Sequence, residues 1–333
     1  MIKFNRRMFL RSAGLGALAS GWPRTAEAGA FFWKRLFSVP PRDTVLITPN
    51  DKFYIVNYAG FPMINLASWS LYVGGVVKKP MRLTYADFYS HRSIEMAATL
   101  ICIDTLPGGD SIGNAVWRGI SLKSLLEEVA PDSAAFDVVF RAADGYSDSI
   151  PFERAMNGDV LLATLMNGEA LPVAHGYPIR AVVPGLYGIK NVKWITEIEV
   201  VDYDYKGYWQ QRGWTDKGEI RIVSRIDNPG HYQEIKGREH TVRGLAFGGA
   251  DGISRVELST DGGKTWNPAG LDPPLSPYTW VIWKYPWEIP SPGAHTLVVR
   301  AWDKKNRMQS VKLEQAYPAG AGGYHTVVAL VSS

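Results

Sequence analysis

Hydrophobic and polar positions follow two different patterns along the chain. In the first part, apolar residues have helical spacing over 121–130, and Thr84 is placed to cap a short helix that ends at His91. Apolar runs bounded by Gly and Pro predict strands over 69–77, 138–142, 160–166, 179–183 and 195–201. This mixture predicts an α+β domain with a mixed sheet partly covered by helices, not a regular βαβ series.

From about Gly218 the helical spacing gives way to short alternating strands separated by Gly, Asp, Asn and Pro. Strands are predicted over 219–226, 240–247, 253–260, 295–302 and 324–331. We therefore expect an antiparallel β-sandwich over 213–333, after a first domain over 40–212. The Trp-rich stretch 280–287 is interpreted as packing around Pro-rich loops.

The N-terminus has the features of an export signal. Basic residues precede a mildly apolar run over 8–19, and Ala26-Glu27-Ala28 fits a cleavage site, which makes 1–28 a removable segment. The stretch from Asn5 to Arg11 resembles a twin-arginine signal, which exports folded proteins; an ordinary basic leader is the alternative. Twin-arginine export to the periplasm suits a protein that receives a bulky cofactor in the cytoplasm.

The charge of the chain is concentrated in that segment. Five of the 36 Lys and Arg residues lie in 1–28 beside a single acid, Glu27, which accounts for the formal charge of +4. The rest of the chain is neutral and has no basic stripe, so we exclude nucleic acid as a partner. The 46% of apolar residues also excludes an intrinsically disordered chain.

The single cysteine, Cys102, limits the chemistry further. It excludes a disulfide framework, Cys-rich zinc or iron–sulfur sites and haem attachment through C-x-x-C-H within this chain. An unpaired Cys is either a small buried apolar residue or a functional thiolate, and the residue alone leaves both open.

Two adjoining motifs carry cations on irregular backbone. Gly and Pro exclude a helix over His175–Arg180 and predict an irregular turn. Such a turn can direct the side chains of both His175 and Arg180 at one anion. The stretch from Lys190 to Trp194 adds two cations and an amide donor. Together these groups suit a phosphate and a polar heterocycle, whereas either motif alone is typical of solvated charges beside a turn.

With these motifs the chain resembles the sulfite oxidase superfamily of molybdopterin enzymes from about Thr48 onward. The resemblance rests on Thr48–Asp51, Trp69–Gly74, Cys102, Trp117–Ile120, Asn167–Pro172, His175–Arg180 and Pro184–Trp194. Residues 256–266 resemble the family's immunoglobulin-like dimerisation domain. The resemblance implies a mixed-sheet molybdopterin-binding domain, an immunoglobulin-like β-sandwich and a homodimer.

The resemblance also implies a site. Molybdenum would be held by the pterin dithiolene and by the thiolate of Cys102, a soft ligand suited to a metal that already has sulfur ligands. The implied cofactor contacts are Asn57, Tyr58, His175, Arg180, Asn191 and Lys193. At Tyr58 the family usually has His.

Three departures from the family concern the substrate. Val56 and the stretch 106–109 stand where sulfite-oxidising members have Arg, and Trp214 stands where they have Tyr. Removing one charge-assisted hydrogen bond from a buried pocket costs about 1.5–3 kcal/mol, so sulfite is a doubtful substrate. Unless Arg118 and Arg212 supply charge from new directions, we expect a less charged substrate, such as a sulfoxide, another oxo compound or an organic sulfur species.

The resulting hypothesis is an exported molybdenum oxidoreductase that transfers an oxygen atom in a two-electron reaction. Electrons would be exchanged with a separate partner, a c-type cytochrome or a membrane quinone-linked protein. The direction is open, so a sulfoxide or other oxo-compound reductase of the same superfamily is an alternative. A non-catalytic exported binding module is a second alternative, which the retained Cys102, His175, Arg180 and Lys193 disfavour.

Overall fold

The computed structural model describes residues 38–332. The predicted export signal over 1–28 lies outside the described residues, so it stays a prediction from sequence. Within the described part, no helix is both long and apolar enough to span a membrane.

The first sheet is mixed, as the sequence predicts. Its strands, in spatial order, are β2 (Met81–Thr84), β1 (Ser70–Gly75), β10 (Ile195–Val201), β5 (Asp137–Ala142) and β6 (Ser147–Pro151). β1 and β10 run parallel, and the other neighbours run antiparallel.

A second sheet carries the residues that matter most for the site. Its strands are β3 (Ser93–Ile101), β4 (Ile112–Ser121), β7 (Leu161–Met166) and β8 (Glu169–Ala170), and β9 (Arg180–Val182) also pairs with β7. The loop between β3 and β4 contains Cys102, and the turn that leads into β9 begins at His175.

Three short helices accompany these sheets: α1 (Tyr85–Ser90), α2 (Leu122–Val129) and α3 (Phe152–Ala155). As predicted, Thr84 caps α1, where the Asp87 carboxylate accepts the Thr84 N–H and the Thr84 hydroxyl. The four apolar residues of α2 are fully buried in a core shared by both sheets, which explains the helical spacing over 121–130.

The C-terminal part consists of two sheets packed face to face. One has the order β11 (Val223–Asn228), β13 (Glu239–Phe247), β17 (Val281–Glu288) and β16 (Gly270–Leu271). The other has the order β12 (Glu234–Lys236), β19 (His325–Ser332), β18 (Gly293–Asp303), β14 (Ile253–Ser259) and β15 (Asn267–Pro268). Their inward apolar side chains form one core, which gives the sandwich.

One interpretation of the sequence was wrong. The stretch 280–287 does not pack around loops but forms most of β17, which pairs with β13 along its length. Pro286 is tolerated because β16 pairs only with Trp283 and Lys284, so the outer edge of β17 beside Pro286 has no partner strand among the described residues.

The two parts of the molecule meet at the loop after Cys102. Arg225 donates to the carbonyl of Gly109 (2.8 Å) and Arg42 donates to that of Gly108 (3.1 Å). A Cβ at Gly108 would lie 2.3 Å from the His325 ring, so only glycine allows this contact. The C-terminal sandwich thus helps to hold the loop that carries the thiol.

Candidate active site

Cys102 directly follows the last residue of β3 and is buried, with 8% of its surface exposed. Its N–H donates to the carbonyl of Ser111 (2.9 Å), and its carbonyl accepts from Thr105 (3.1 Å), which fixes the turn around it. Burial, together with the nearby Asp104 carboxylate, raises the pKa of the thiol to about 12. The thiol is therefore inert by itself at neutral pH and becomes a thiolate when a soft metal replaces its proton.

The thiol faces a cleft that encloses about 750 Å³, including its open mouth. All seven residues that the sequence assigns to the metal and cofactor line this cleft: Asn57, Tyr58, Cys102, His175, Arg180, Asn191 and Lys193. They come from three separate stretches of the first domain. The backbone at Gly188 lies next to two of these stretches, because a Cβ there would be 3.1 Å from the Tyr54 hydroxyl and in ordinary contact, at 3.8 Å, with the Cys102 Cα.

Arg180 is the most deeply buried cation of the cleft. It is 5% exposed, lies over the Trp117 ring (4.9 Å to the centroid) and donates to the carbonyls of His175 (3.1 Å) and Asn191 (3.3 Å). Burial lowers its pKa to about 10. These acceptors are neutral, so its charge is not compensated by the protein.

Lys193 stands beside Arg180 on the same wall. Its ammonium donates to the carbonyls of Val56 (3.0 Å) and Ala174 (3.1 Å) and to the side-chain oxygen of Asn57. Burial, reinforced by the Arg180 charge, lowers its pKa to about 7. Gly176 makes the pair possible, because a Cβ there would lie 2.9 Å from the Cβ of Arg180 and 3.1 Å from that of Lys193.

His175 completes this group. Its Nε2 lies 3.0 Å from the carbonyl of Asn50, which makes that nitrogen the N–H donor of a neutral ring. Burial and the charges of Arg180 and Lys193 lower its pKa to about 4, although the bond to Asn50 opposes the shift. The ring is thus neutral at physiological pH.

This wall fits an anion. Arg180 and Lys193 are close together, and neither has a carboxylate within hydrogen-bonding distance. The only acid among the described lining residues is Asp144, whose charge opposes the lowering of the Lys193 pKa without forming an ion pair with it. Asp144 accepts the N–H of Tyr146 (3.0 Å). Burying uncompensated charge is costly, so a bound phosphate would remove a penalty that the protein alone retains.

The thiol side fits a metal that brings most of its own ligands. Among the described residues, no three His, Cys, Asp or Glu side chains are grouped so as to hold a metal ion. One thiolate beside a cleft for an anion is the donor set expected for a molybdenum held mainly by a pterin dithiolene.

The other predicted contacts differ in how free their side chains are. Asn191 accepts from Val183 (2.7 Å) and donates to the carbonyls of Leu186 (3.1 Å) and Tyr187 (3.0 Å), so its amide holds the turn together. Tyr58 is 42% exposed at the mouth and packs edge-on against Tyr208. Asn57 faces Lys193.

The structure does not bring the three weaker substrate predictions into the cleft. Arg118 is exposed on β4 and donates to Ser93 (3.2 Å); because side chains alternate along a strand, it points away from the Arg180 side, which its neighbour Trp117 faces. Arg212 lies over the Tyr208 ring outside the cleft, 3.5 Å from its centroid. Trp214 packs against Trp209 and does not line the cleft.

Residues that sequence reasoning missed are mainly aromatic. Tyr54, Tyr146 and Trp209 line the cleft close to the predicted cofactor contacts. Tyr54 precedes Asn57 by three positions, and Trp209 precedes Trp214 by five, so both lay close to residues that were already singled out. Tyr146, after an Asp-Gly turn, had no comparable signal.

Comparison with known families decides the family of this chain. The oxidoreductase molybdopterin binding domain matches residues 58–209, and the Mo-co oxidoreductase dimerisation domain matches residues 216–317. The chain belongs to the molybdopterin oxidoreductases of sulfite oxidase type. The resemblance inferred from sequence is thereby confirmed: the protein is an oxidoreductase with a C-terminal dimerisation domain, and its cofactor is molybdenum-molybdopterin.

Similar proteins include plant nitrate reductases. The NADH nitrate reductase 1 of Oryza sativa subsp. japonica is 30% identical over 80% of this chain and 36% of its own length. NADH nitrate reductase 1 of Nicotiana tabacum is 29% identical over 83% of this chain and 38% of its own length. The chain thus spans little more than a third of these relatives.

A solved structure supports the fold across both parts. The sulfane dehydrogenase SoxCD of Paracoccus pantotrophus superposes with a TM-score of 0.74, covering 96% of this chain and 98% of that chain at 22% identity. At this identity the likeness describes the arrangement of the chain and not its substrate.

Proposed function

We propose that this protein is an exported periplasmic molybdenum oxidoreductase that catalyses two-electron oxygen-atom transfer and exchanges electrons with a separate redox partner. The observation that carries the proposal is the position of the buried Cys102 thiol in a cleft where Arg180 and Lys193 have no acidic partner. The thiol suits the metal, and the two cations suit the phosphate of its cofactor.

Different residues of this chain would hold different parts of the cofactor. When bound, the molybdenum cofactor supplies the two-electron redox chemistry. Cys102 would ligate the metal, and Arg180 and Lys193 would pair with the phosphate. His175, held neutral by burial, would hydrogen-bond without adding a third charge to the wall.

The rest of the lining favours a substrate with little charge. Val56, Tyr54, Tyr146, Ile189 and Trp209 contribute aromatic, hydroxyl and apolar surface. Arg118 and Arg212, the candidates for replacing the missing family arginines, lie outside the cleft. A sulfite dianion would find no cation beyond those assigned to the cofactor, so we favour a sulfoxide, another neutral oxo compound or an organic sulfur species.

The sequence relatives favour reduction as a second direction of electron flow, because their names describe nitrate reductases. Because the nitrate reductases match over 80% of this chain, reduction of an oxo compound is the second candidate function.

The assembly is supported by a family match and the location by a sequence motif. The dimerisation domain favours a homodimer formed through the sandwich, which we propose to be immunoglobulin-like. The twin-arginine-like stretch supports export to the periplasm, where a c-type cytochrome or a membrane redox protein would exchange the electrons.

Metal analysis, combined with turnover, tests this function. Wild-type protein from a host that makes the cofactor should contain about one molybdenum per chain. Cys102→Ser should lose turnover and alter the optical spectrum of the metal, whereas Arg118→Ala, a change outside the cleft, should leave both unchanged. Turnover would be screened with sulfite, dimethyl sulfoxide, thiosulfate and nitrate, using dyes as electron donors and acceptors.

Wild-type protein free of molybdenum and pterin, purified from that host, would exclude the enzymatic function. Turnover of the anions sulfite, thiosulfate or nitrate at a rate above that of uncharged dimethyl sulfoxide would contradict the proposed substrate class and leave the enzyme class intact.

A further inference from the structure

One buried cation of the Lys190–Trp194 motif does not face the cleft. Lys190 is 1% exposed, and its ammonium lies 2.8 Å from an Asp148 carboxylate oxygen, 2.9 Å from the Ser149 carbonyl and 3.2 Å from Asp216. Lys190 is not among the residues that line the cleft.

Its main partner, Asp148, links it to the cleft. The Asp148 side chain is fully buried. Its second oxygen accepts from the Tyr146 hydroxyl (3.0 Å) and from the Gln210 amide (3.2 Å). Tyr146 lines the cleft, and its hydroxyl also lies 2.8 Å from the Ile189 carbonyl.

The other end of this array reaches solvent. The Asp216 side chain is 40% exposed and lies 2.6 Å from the ammonium of Lys206, which is 43% exposed. Hydrogen bonds therefore run without interruption from the cleft wall to the surface, through Tyr146, Asp148, Lys190 and Asp216.

We infer that Tyr146, Asp148, Lys190 and Asp216 form a proton path between the cofactor cleft and solvent. The inference rests on the proposed function. Oxygen-atom transfer from water to a substrate yields the oxygenated product, two protons and two electrons. The electrons leave one at a time to an external carrier such as a haem protein, and the protons have to leave a cleft whose wall already carries Arg180 and Lys193.

Each transfer along the path is balanced. A proton arriving at the Tyr146 oxygen releases the hydroxyl proton of Tyr146 to Asp148. Asp148 receives this proton on Oδ2, whereas Lys190 lies at Oδ1, so the carboxyl group has to rotate before the next transfer. Lys190 passes one ammonium proton to Asp216 and then takes the proton of Asp148, so it ends as an ammonium again. Asp216 then gives its proton to water. In an oxo-compound reductase the same path runs inward.

The chemistry of each link suits this role. Each of the four groups has an ionisable proton, which amide and carbonyl links such as Gln210 do not offer. Desolvation raises the pKa of Asp148, although Lys190 opposes the shift, and so brings the carboxyl closer to accepting a proton. A pair that served stability alone would need neither a link to the cleft nor one to solvent.

The test uses protein loaded with cofactor and needs no known substrate. The enzyme is reduced, separated from the reductant and mixed in a stopped-flow instrument with ferricyanide, which accepts electrons without protons. The absorbance of the cofactor reports electron loss, and a pH indicator reports proton release. The experiment is repeated in D₂O.

The decisive variant is Asp148→Asn combined with Lys190→Met, which removes both charges and leaves no unpaired ion in the core. We expect proton release at least tenfold slower than in wild type and a changed solvent isotope effect, with molybdenum content retained. The control is Glu257→Gln with Arg300→Met, which removes an ion pair of the sandwich (2.6 Å) and should release protons at the wild-type rate.

Proton release at the wild-type rate and with the wild-type isotope effect in the fully loaded double variant would overturn the path. If the double variant does not fold, Tyr146→Phe decides, because it breaks the link at the cleft and keeps both charges: slowed release supports the path and unchanged release overturns it. Wild-type protein that contains no molybdenum would instead contradict the proposed function, so the two failures are distinguishable.

Discussion

Lys190 and Lys193 are three residues apart in the chain, yet only Lys190 forms ion pairs with carboxylates. Lys190 is buried against Asp148 and Asp216, which compensate its charge within the protein. Lys193 donates only to neutral oxygens and stands beside Arg180. The charge of a buried cation with carboxylate partners is neutralised within the protein, whereas a buried cation without such partners indicates a binding site for an anion.

The local backbone explains how neighbours face opposite ways. A 3₁₀ turn over Gly188–Lys190 sends Lys190 behind the cleft wall, and the Asn191 amide holds the following turn through three backbone groups. Lys193 then packs against Gly176, where the absence of a side chain gives room for Lys193 next to Arg180.

The largest expected effect is a difference in unfolding free energy between variants at the two lysine sites. Asp148→Asn leaves Lys190 buried without its main partner, so the cofactor-free protein should lose about 3–5 kcal/mol of unfolding free energy. Lys193→Met removes an uncompensated charge and should cost far less. Urea unfolding of both variants measures the difference; equal losses would contradict the distinction drawn between the two sites.

An intermediate effect comes from filling the anion site. Inorganic phosphate should stabilise the cofactor-free wild-type protein, by about 2.7 kcal/mol at a concentration 100 times its dissociation constant. Lys193→Met should weaken this stabilisation, and the double variant Asp148→Asn with Lys190→Met should keep it. Thermal unfolding against phosphate concentration provides the measurement, and phosphate stabilisation that depends on Lys190 and not on Lys193 would reverse the assignment.

A third effect is a pH dependence. The folded state lowers the pKa of Lys193 from 10.5 to about 7. Between these values the unfolded chain binds more protons, so this group adds stability as the pH rises from 7 to 10.5 and removes it as the pH falls back. Stability curves of cofactor-free wild type and Lys193→Met should therefore diverge in that window. Parallel curves would show that Lys193 is solvated normally.

Sequence reasoning reached the parts of the site that are local in the chain. Turn chemistry around His175 and Arg180 indicated a place for an anion, whereas the metal ligand Cys102 and the remaining contacts were implied by the family resemblance. All seven assigned residues line one cleft. Periodicity also predicted α2, because its buried face repeats every three to four positions.

The sequence could not predict which way individual side chains point. Strand alternation places Trp117 beneath Arg180 and turns Arg118 to solvent, and no pattern within that motif identifies the inner face. Likewise, residue type alone does not separate Lys190 from Lys193; the family resemblance assigned only Lys193 to the cofactor, and the fold brings Asp148, 42 positions earlier, beside Lys190. The strand β17 was missed because its tryptophans and Pro286 mask the alternation that its pairing with β13 reveals.

The central claim is that the uncompensated pair Arg180 and Lys193 holds the cofactor while the compensated Lys190 does not. The most direct test is the molybdenum and pterin content of wild type, Lys193→Met and the double variant Asp148→Asn with Lys190→Met, each purified from a host that makes the cofactor. We predict about one molybdenum per chain in wild type and the double variant, and a marked loss of pterin and metal in Lys193→Met. Full content in Lys193→Met with an empty double variant would contradict the account.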